Sequence, residues 1–453
     1  MATILGTQAT EVLNGTADDD VIIGFAGADF IFGRDGDDRI LGGSGIDGLN
    51  GEDGNDVLIG GTQDDAIFGG DGDDTSIWRN GDGSDFIRGD DGQDTQIVSG
   101  SLTDGDNFIL DQDAGLGQAL FSRSNLGLFE LRIDTVETLR IAGNGGDDNL
   151  VVNDLSSTPV ELVTFAGGEG DDALIGGGAT TDLVFNGGAG RDLAIGGIGN
   201  DRLVGGDDDD QLIGGAGDDR ITGGKGNDNI EGGAGDDFSV WNNGDGSDQV
   251  LGEAGLDTRR FNMADGPGDQ LLLTVNDTVG TFERVNFNPF SVEMIGVERV
   301  VVTGQGGDDS LTVAQSGPIS AFGAIHFTGG SAQDSFFGDT TTSRNFISGG
   351  DGDDVIISGS GNDRLDGGNG QDRIEGGAGD DNSIWVNGDG SDFIDGGADN
   401  DVQNIFGSDD DGDIFSLSAN LVDQVEFSPL QSDQLHAHYR QCRNCACCRQ
   451  WRR

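Results

Sequence analysis

Residues 1–441 contain no cysteine, and the four cysteines of the chain all lie between positions 442 and 448. Neither disulfides nor thiolate metal centres can support the main body. Histidine is nearly missing too, with three in 453 residues, and there are only five prolines and one tyrosine. Positive charge is scarce: 23 Lys and Arg face 84 Asp and Glu, a formal net charge of −61. Such a chain repels nucleic acid and anionic membrane, which makes both poor partners on electrostatic grounds. No stretch approaches the roughly 18 apolar residues of a spanning helix. The opening MATILGTQATEVLNG lacks the basic region and apolar run of a signal peptide, so a soluble chain without Sec export is expected.

Catalytic signatures are also missing. There is no H-E-x-x-H helix and no G-x-S-x-G elbow. His326, the only histidine before residue 434, sits in a strand-like AIHFTGG context where a packed or surface role outweighs catalysis. Carboxylate pairs are too abundant to mark general acid–base chemistry. The expectation is that the chain is not an enzyme.

What is abundant is glycine, 85 residues of it, and aspartate in a fixed register. With 34% hydrophobic residues and this charge, a chain without periodicity would be disordered. Here aspartates recur every nine residues at Asp20, Asp29, Asp38, Asp47, Asp56, Asp65 and Asp74, and after one slip of two at Asp85 and Asp94. Around each the chain reads close to G-G-x-G-x-D-x-U-x with U large and apolar; Gly51 to Ile59 (GEDGNDVLI) and Gly214 to Thr222 (GGAGDDRIT) are clear copies. The U positions of the first block include Leu13, Ile22, Ile31, Ile40, Leu49, Leu58 and Ile67, and the eighth is Ser76. A second block carries Asp192, Asp201, Asp210, Asp219, Asp228 and Asp237, preceded by irregular copies at Asp172 and Asp182. A third carries Asp354, Asp363, Asp372 and Asp381, with an outlier at Asp334.

Each block ends in one phrase: SIWRNGDGSD from Ser76, SVWNNGDGSD from Ser239 and SIWVNGDGSD from Ser383. The phrase adds Asp248 and Asp392 to the register, and a trailing copy adds Asp257 and Asp401. Its inserted pair, Trp78 with Arg79 and equivalents, is expected to shift the alternation by one coil and close the apolar core with an indole. The functional alternatives are an extra cation loop from Asn80, Asp82 and Asp85, or a sugar-stacking platform of exposed tryptophans. Strand-rich stretches follow, with VETLRIAGNGGDDNLVV from Val136 matching VERVVVTGQGGDDSLTV from Val297. They read as irregular continuations or caps of the same architecture.

The chain therefore resembles the RTX family, the hemolysin-type calcium-binding repeats, whose nonapeptide forms a parallel β-helix. The expected fold is all-β: a right-handed parallel β-roll or β-helix solenoid with calcium-binding turns, in three tandem modules. The boundaries are repeat blocks at 1–97, 167–260 and 329–404, connecting modules at 98–166, 261–328 and 405–433 (the last truncated), and an atypical tail at 434–453. Two nonads make an eighteen-residue coil, so Asp20 lies over Asp38 and Asp29 over Asp47. Glycine-rich turns expose carbonyls beside the position-six carboxylate, which suits the six to eight hard oxygens calcium takes. One ion bridges two stacked turns, and the blocks give about eighteen ions, cancelling about 36 negative charges. Position-five residues such as Asp37, Asn55 and Asp218 cap turns or face water. Without calcium the carboxylates repel and the blocks stay disordered; binding free energy becomes folding free energy.

The resemblance further implies an extracellular, secreted or surface-associated protein leaving Gram-negative cells by type I secretion. The expected role is a structural or interaction module, adhesin- or matrix-like, with calcium, extracellular polysaccharide and cell-surface components as partners. The alternative is the calcium-binding portion of a secreted enzyme or toxin whose catalytic domain lies outside this chain. The tail from Gln434 has two readings: a frameshifted, truncated or fused terminus without function, or a zinc or copper site from His436, His438, Cys442, Cys445, Cys447 and Cys448.

Overall fold

In each clear nonad the apolar residues alternate over a short run that ends in glycine, so one face of a short strand is committed to a core. The computed structural model describes residues 1–276, 279–316, 323–386 and 388–406, and the backbone of the strands Phe415–Asn420, Gln424–Pro429 and Ala437–Arg440. Among these residues there is no helix, and the chain divides into two compact units, Met1–Gly235 and Asp236–Arg453.

The first unit is a parallel β-solenoid whose strands fall alternately on two faces. On face A, Val21–Ala26 pairs with Arg39–Ser44, which pairs with Val57–Thr62; on face B, Phe30–Asp35 pairs with Gly48–Asp53 and then Ala66–Asp71. Every step is eighteen residues, as the nine-residue period requires. Ile22, Ile40 and Leu58 stack as one buried column, and Ile31, Leu49 and Ile67 as the other. Burying each such side chain contributes about 1.5–3 kcal/mol over leaving it exposed.

The two-residue insertion at Trp78 does not shift the alternation, contrary to expectation. Thr75–Arg79 pairs in register with Thr95–Ser99 because that coil lengthens to twenty residues. The indole lies inside, 1% exposed, with Nε1 donating to the Gly83 carbonyl at 2.9 Å and the ring stacked on Phe129 at 3.9 Å. Trp241 repeats this with Gly246 and Phe290, and Trp385 is 6% exposed. Burial overturns the exposed sugar-stacking platform and agrees with the indole as core. The serine at the same phrase makes a polar slot in the core: Ser76 bonds Gln96, Ser383 bonds Gln403, and Ser239 lies beside Arg259.

The stretch after the first block continues the solenoid through one reversal. Asn107–Asp113 runs antiparallel to Gln118–Arg123, which runs antiparallel to Phe129–Asp134. The outer two rejoin the parallel stack, Phe129–Asp134 on Phe86–Asp91 and Asn107–Asp113 on Asn149–Val152. Face A passes directly from Thr95–Ser99 to Thr138–Gly145. The second unit repeats the motif with Gln270–Asn276, Val279–Arg284 and Phe290–Ile295. A third copy pairs Phe415–Asn420, Gln424–Pro429 and Ala437–Arg440, the last lying parallel to Phe393–Asp395. The backbone of His438 is thus in a strand, while its side chain, His436, Cys442, Cys445, Cys447 and Cys448 lie outside the described residues.

Candidate metal centre

The position-six aspartates form hydrogen-bonded columns. Asp20 N–H donates to Asp38 Oδ1 at 2.7 Å, Asp38 to Asp56 at 2.7 Å, Asp56 to Asp74 at 2.7 Å and Asp74 to Asp94 at 2.8 Å. A parallel column runs from Asp29 through Asp47 and Asp65 to Asp85. Later in the first unit the order is Asp172, Asp192, Asp210, Asp228, with Asp201 to Asp219 alongside. In the second unit Asp237 donates to Asp257, and Asp334, Asp354, Asp372 and Asp392 follow one another beside Asp363, Asp381 and Asp401. Asp248 Oδ2 is held by Arg259 Nη2 at 2.6 Å. All of these aspartates are buried.

With Oδ1 occupied by the neighbouring turn's amide, the other oxygen decides what the site can do. Oδ2 of Asp29, Asp38, Asp47, Asp56, Asp65, Asp74, Asp94, Asp172, Asp192, Asp210, Asp257, Asp334, Asp354, Asp372 and Asp381 is buried and receives no hydrogen bond from the protein. A buried carboxylate oxygen left so is costly, since neither water nor a donor stabilises its charge. The strain on ionisation shows as raised pKa values, from burial first and then from neighbouring carboxylates. Asp65, Asp210 and Asp372 are pushed up to about 8, Asp74, Asp192 and Asp381 to about 7, and Asp56 and Asp354 to about 6.

Glycine at position one keeps the space beside that oxygen open. A Cβ on Gly51 would stand 2.0 Å from Asp56 Oδ2 and 2.5 Å from the Gly69 carbonyl oxygen, so both oxygens face the gap the missing methyl leaves. Gly54 adopts φ +137°, a conformation other residues reach only with strain. Carboxylate plus backbone carbonyls, without nitrogen or sulfur, is a hard-cation donor set. Among the described residues no three Asp, Glu, His or Cys side chains converge on one point, so backbone carbonyls would have to supply most of a cation's ligands. The residues present therefore fit calcium, which would neutralise the facing carboxylates.

Not every aspartate in the register keeps an oxygen for a cation. Asp20 Oδ2 accepts from the Thr16 amide and hydroxyl, both at 2.8 Å, and the Ala2 amide holds its pKa low. Asp201 Oδ2 accepts from Gly197 N–H at 2.6 Å, and Asp363 Oδ2 from the Ser358 hydroxyl. Asp182 stands outside the column: Leu183 occupies the ladder position, and exposed Asp182 caps the Asn200 amide. Position-five side chains form an exposed ladder of the same kind, with Asn55 N–H donating to Asp37 and Asp73 N–H to Asn55.

The structure also adds residues that the nine-residue count passes over. Asp148 and Asp309 are full column members with the same bare Oδ2, and Asp106 and Asp269 start those columns. Glu137 and Glu298 extend two columns with a longer carboxylate, accepting from the Asp94 and Asp257 amides. The signal was present in G-x-G-G-D-D at Gly143 to Asp148 and Gly304 to Asp309, inside the strand-rich stretches read as irregular continuations or caps of the solenoid. At the start of the new columns a side-chain cation stands in. Arg123 Nη1 lies 2.9 Å from Asp106 Oδ1 and 2.9 Å from Asn80 Oδ1, with Nη2 on the Gly127 carbonyl at 2.9 Å. Arg284 repeats the set with Asp269, Asn243 and Asn288.

The RTX calcium-binding nonapeptide repeat family matches residues 5–40, 41–75, 184–212, 204–238, 341–382 and 388–402, the segments holding the regular columns. The chain carries RTX calcium-binding nonapeptide repeats. Calcium is accordingly the cation of these RTX turns. No curated protein matches the chain. Among solved structures, the extracellular lipase LipA from Serratia marcescens is similar at 15% identity and a TM-score of 0.20, over 60% of this chain and 43% of the lipase chain. The chain thus spans under half of that lipase, and the likeness carries no argument about activity. Among the described residues no helix is long and apolar enough to cross a membrane.

Proposed function

We propose that this RTX chain is a secreted, non-catalytic module that folds on calcium and presents its solenoid faces outside the cell as an adhesin- or matrix-like element. The observation that carries the reading is the repeated bare Oδ2 of the buried aspartate columns. Asp38, Asp56, Asp74 and their equivalents would hold calcium through Oδ2 together with turn carbonyls such as that of Gly69. A fold that needs many cations is favoured where calcium is millimolar and disfavoured in the cytosol, which couples folding to export. His326 supports the non-catalytic part: it is half-buried and stacked on Phe346 at 4.4 Å, and its pKa is lowered by burial and by Arg299.

The competing reading makes the chain the calcium-binding part of a secreted enzyme or toxin; it requires a catalytic domain in the same reading frame. Sedimentation of calcium-folded protein with Gram-negative cells and their extracellular polysaccharide tests the proposal. Retention in calcium and release by chelator supports it. Complete recovery in the supernatant under both conditions contradicts it.

A further inference from the structure

The outward side of face A in the second unit carries the wrong charge for this protein. Thr258–Asn262, Arg299–Gly306, Ala324–Ser331, Arg344–Asp351 and Arg364–Asn369 pair in sequence. Their registers align Arg260, Val301, His326, Phe346 and Arg364 in one row, and Thr258, Arg299, Ala324 and Arg344 in the next. All four arginines are exposed. Arg344 lies over the Phe346 ring at 4.7 Å, and Phe346 stacks on His326. The acids nearby are few or engaged: Asp366 shares the face, whereas Glu298, next to Arg299, is turned to the Asp257 amide.

In a chain with 84 acidic residues, surface cations find partners easily, as Arg88 does with Asp90, Arg132 with Glu130, Arg191 with Asp171 and Lys225 with Asp207. Arg260, Arg299 and Arg344 make no ion pair among the described residues, and Arg364 makes none within 4 Å, although its charge acts on Asp366. With strands about 4.8 Å apart, Arg299 and Arg344 stand about 10 Å apart and the row from Arg260 to Arg364 runs about 19 Å.

We propose that this face binds an anionic polysaccharide, a linear sugar chain bearing carboxylate or sulfate groups that runs across the strands. Charge complementarity selects an anion, since the patch is a local excess of guanidinium groups in a chain of net charge −61. The flat, ladder-like spacing selects an extended polymer over a compact ion. Planar guanidinium forks match carboxylate and sulfate, and Arg344 is held in place over the Phe346 ring, which itself stacks on His326. Charges beyond about 8–10 Å are screened at physiological salt, so the overall charge does not forbid local binding. This rests on the proposed surface role and names its partner chemistry.

The test uses the full chain in saturating calcium with dextran sulfate as probe and neutral dextran as control. Dextran sulfate should bind, neutral dextran should not, and Arg299→Gln with Arg344→Gln should weaken binding about tenfold or more. A control pair on face B of the first unit, Arg88→Gln with Arg132→Gln, should leave it unchanged. Circular dichroism in calcium verifies that both double variants fold like the parent. Undiminished binding by the face A variant, or equal loss in the control, overturns the inference while the surface role stands. Self-association of the parent relieved by the face A substitutions overturns it by assigning the face to a second copy. Absence of binding to any polysaccharide or cell surface removes both the inference and the role beneath it.

Discussion

Arg123 and Asp106 meet at 2.9 Å inside the first unit, with side chains 5% and 0% exposed. Asp106 begins a column of buried aspartates, and at that point a guanidinium supplies the positive charge for which the RTX turns use calcium. The Arg284–Asp269 pair does the same in the second unit at 3.2 Å. Removing Arg123 leaves Asp106 buried with no cation. Arg123→Met should destabilise the calcium-loaded protein by about 3–5 kcal/mol. Adding Asp106→Asn should recover part of the loss, because the uncompensated charge is then gone. Denaturant unfolding in saturating calcium measures both; a single variant within about 0.5 kcal/mol of the parent would contradict the pairing.

Asp38 is a shared member of its column, bonded through Oδ1 to the Asp20 amide and through its own N–H to Asp56 Oδ1. Solenoid stability is carried mostly by nearest neighbours. Asp38→Ala should therefore lower calcium stoichiometry by about one or two ions. Amide exchange should rise in the coils of Asp20 and Asp56 and stay unchanged across residues 349–384. Uniform loss of protection along the whole chain would argue against a stacked series of local sites.

The pH dependence has a definite sign. In the unfolded chain these aspartates titrate near 3.8, whereas in the metal-free fold burial raises Asp56 to about 6, Asp74 to about 7 and Asp65 to about 8. Between those limits the fold binds more protons than the unfolded chain, so stability without calcium is greatest near pH 4 and is lost as pH rises towards 8. Chelated protein should show more β structure at pH 5 than at pH 8. Calcium must displace those protons, so its apparent affinity should rise over the same range. A chelated protein that gains structure on alkalinisation would contradict the assignment.

The regular columns were legible because period nine is both the chemical and the structural repeat: Asp38 over Asp56 follows from counting. The reversals were not, because pairing Gln118–Arg123 against its neighbours is a tertiary choice that brings Arg123 to Asp106 across a hairpin. Asp148 and Asp309 were missed for a related reason. They resume the ladder at separations set by the inserted strands, 42 residues from Asp106 and 40 from Asp269, so a nine-residue count loses them although their glycine frames are intact. Trp78 was legible as core; its two-residue insertion was misread because a longer turn absorbs it without moving the strands.

The central claim is that calcium on the bare Oδ2 oxygens turns a repelling chain into a solenoid. Far-ultraviolet circular dichroism of chelated protein at pH 7.5 during calcium titration tests it most directly. The account predicts a largely disordered starting spectrum and a cooperative gain of β signal as calcium approaches saturation. A spectrum already β-rich in chelator and unchanged by calcium would contradict it.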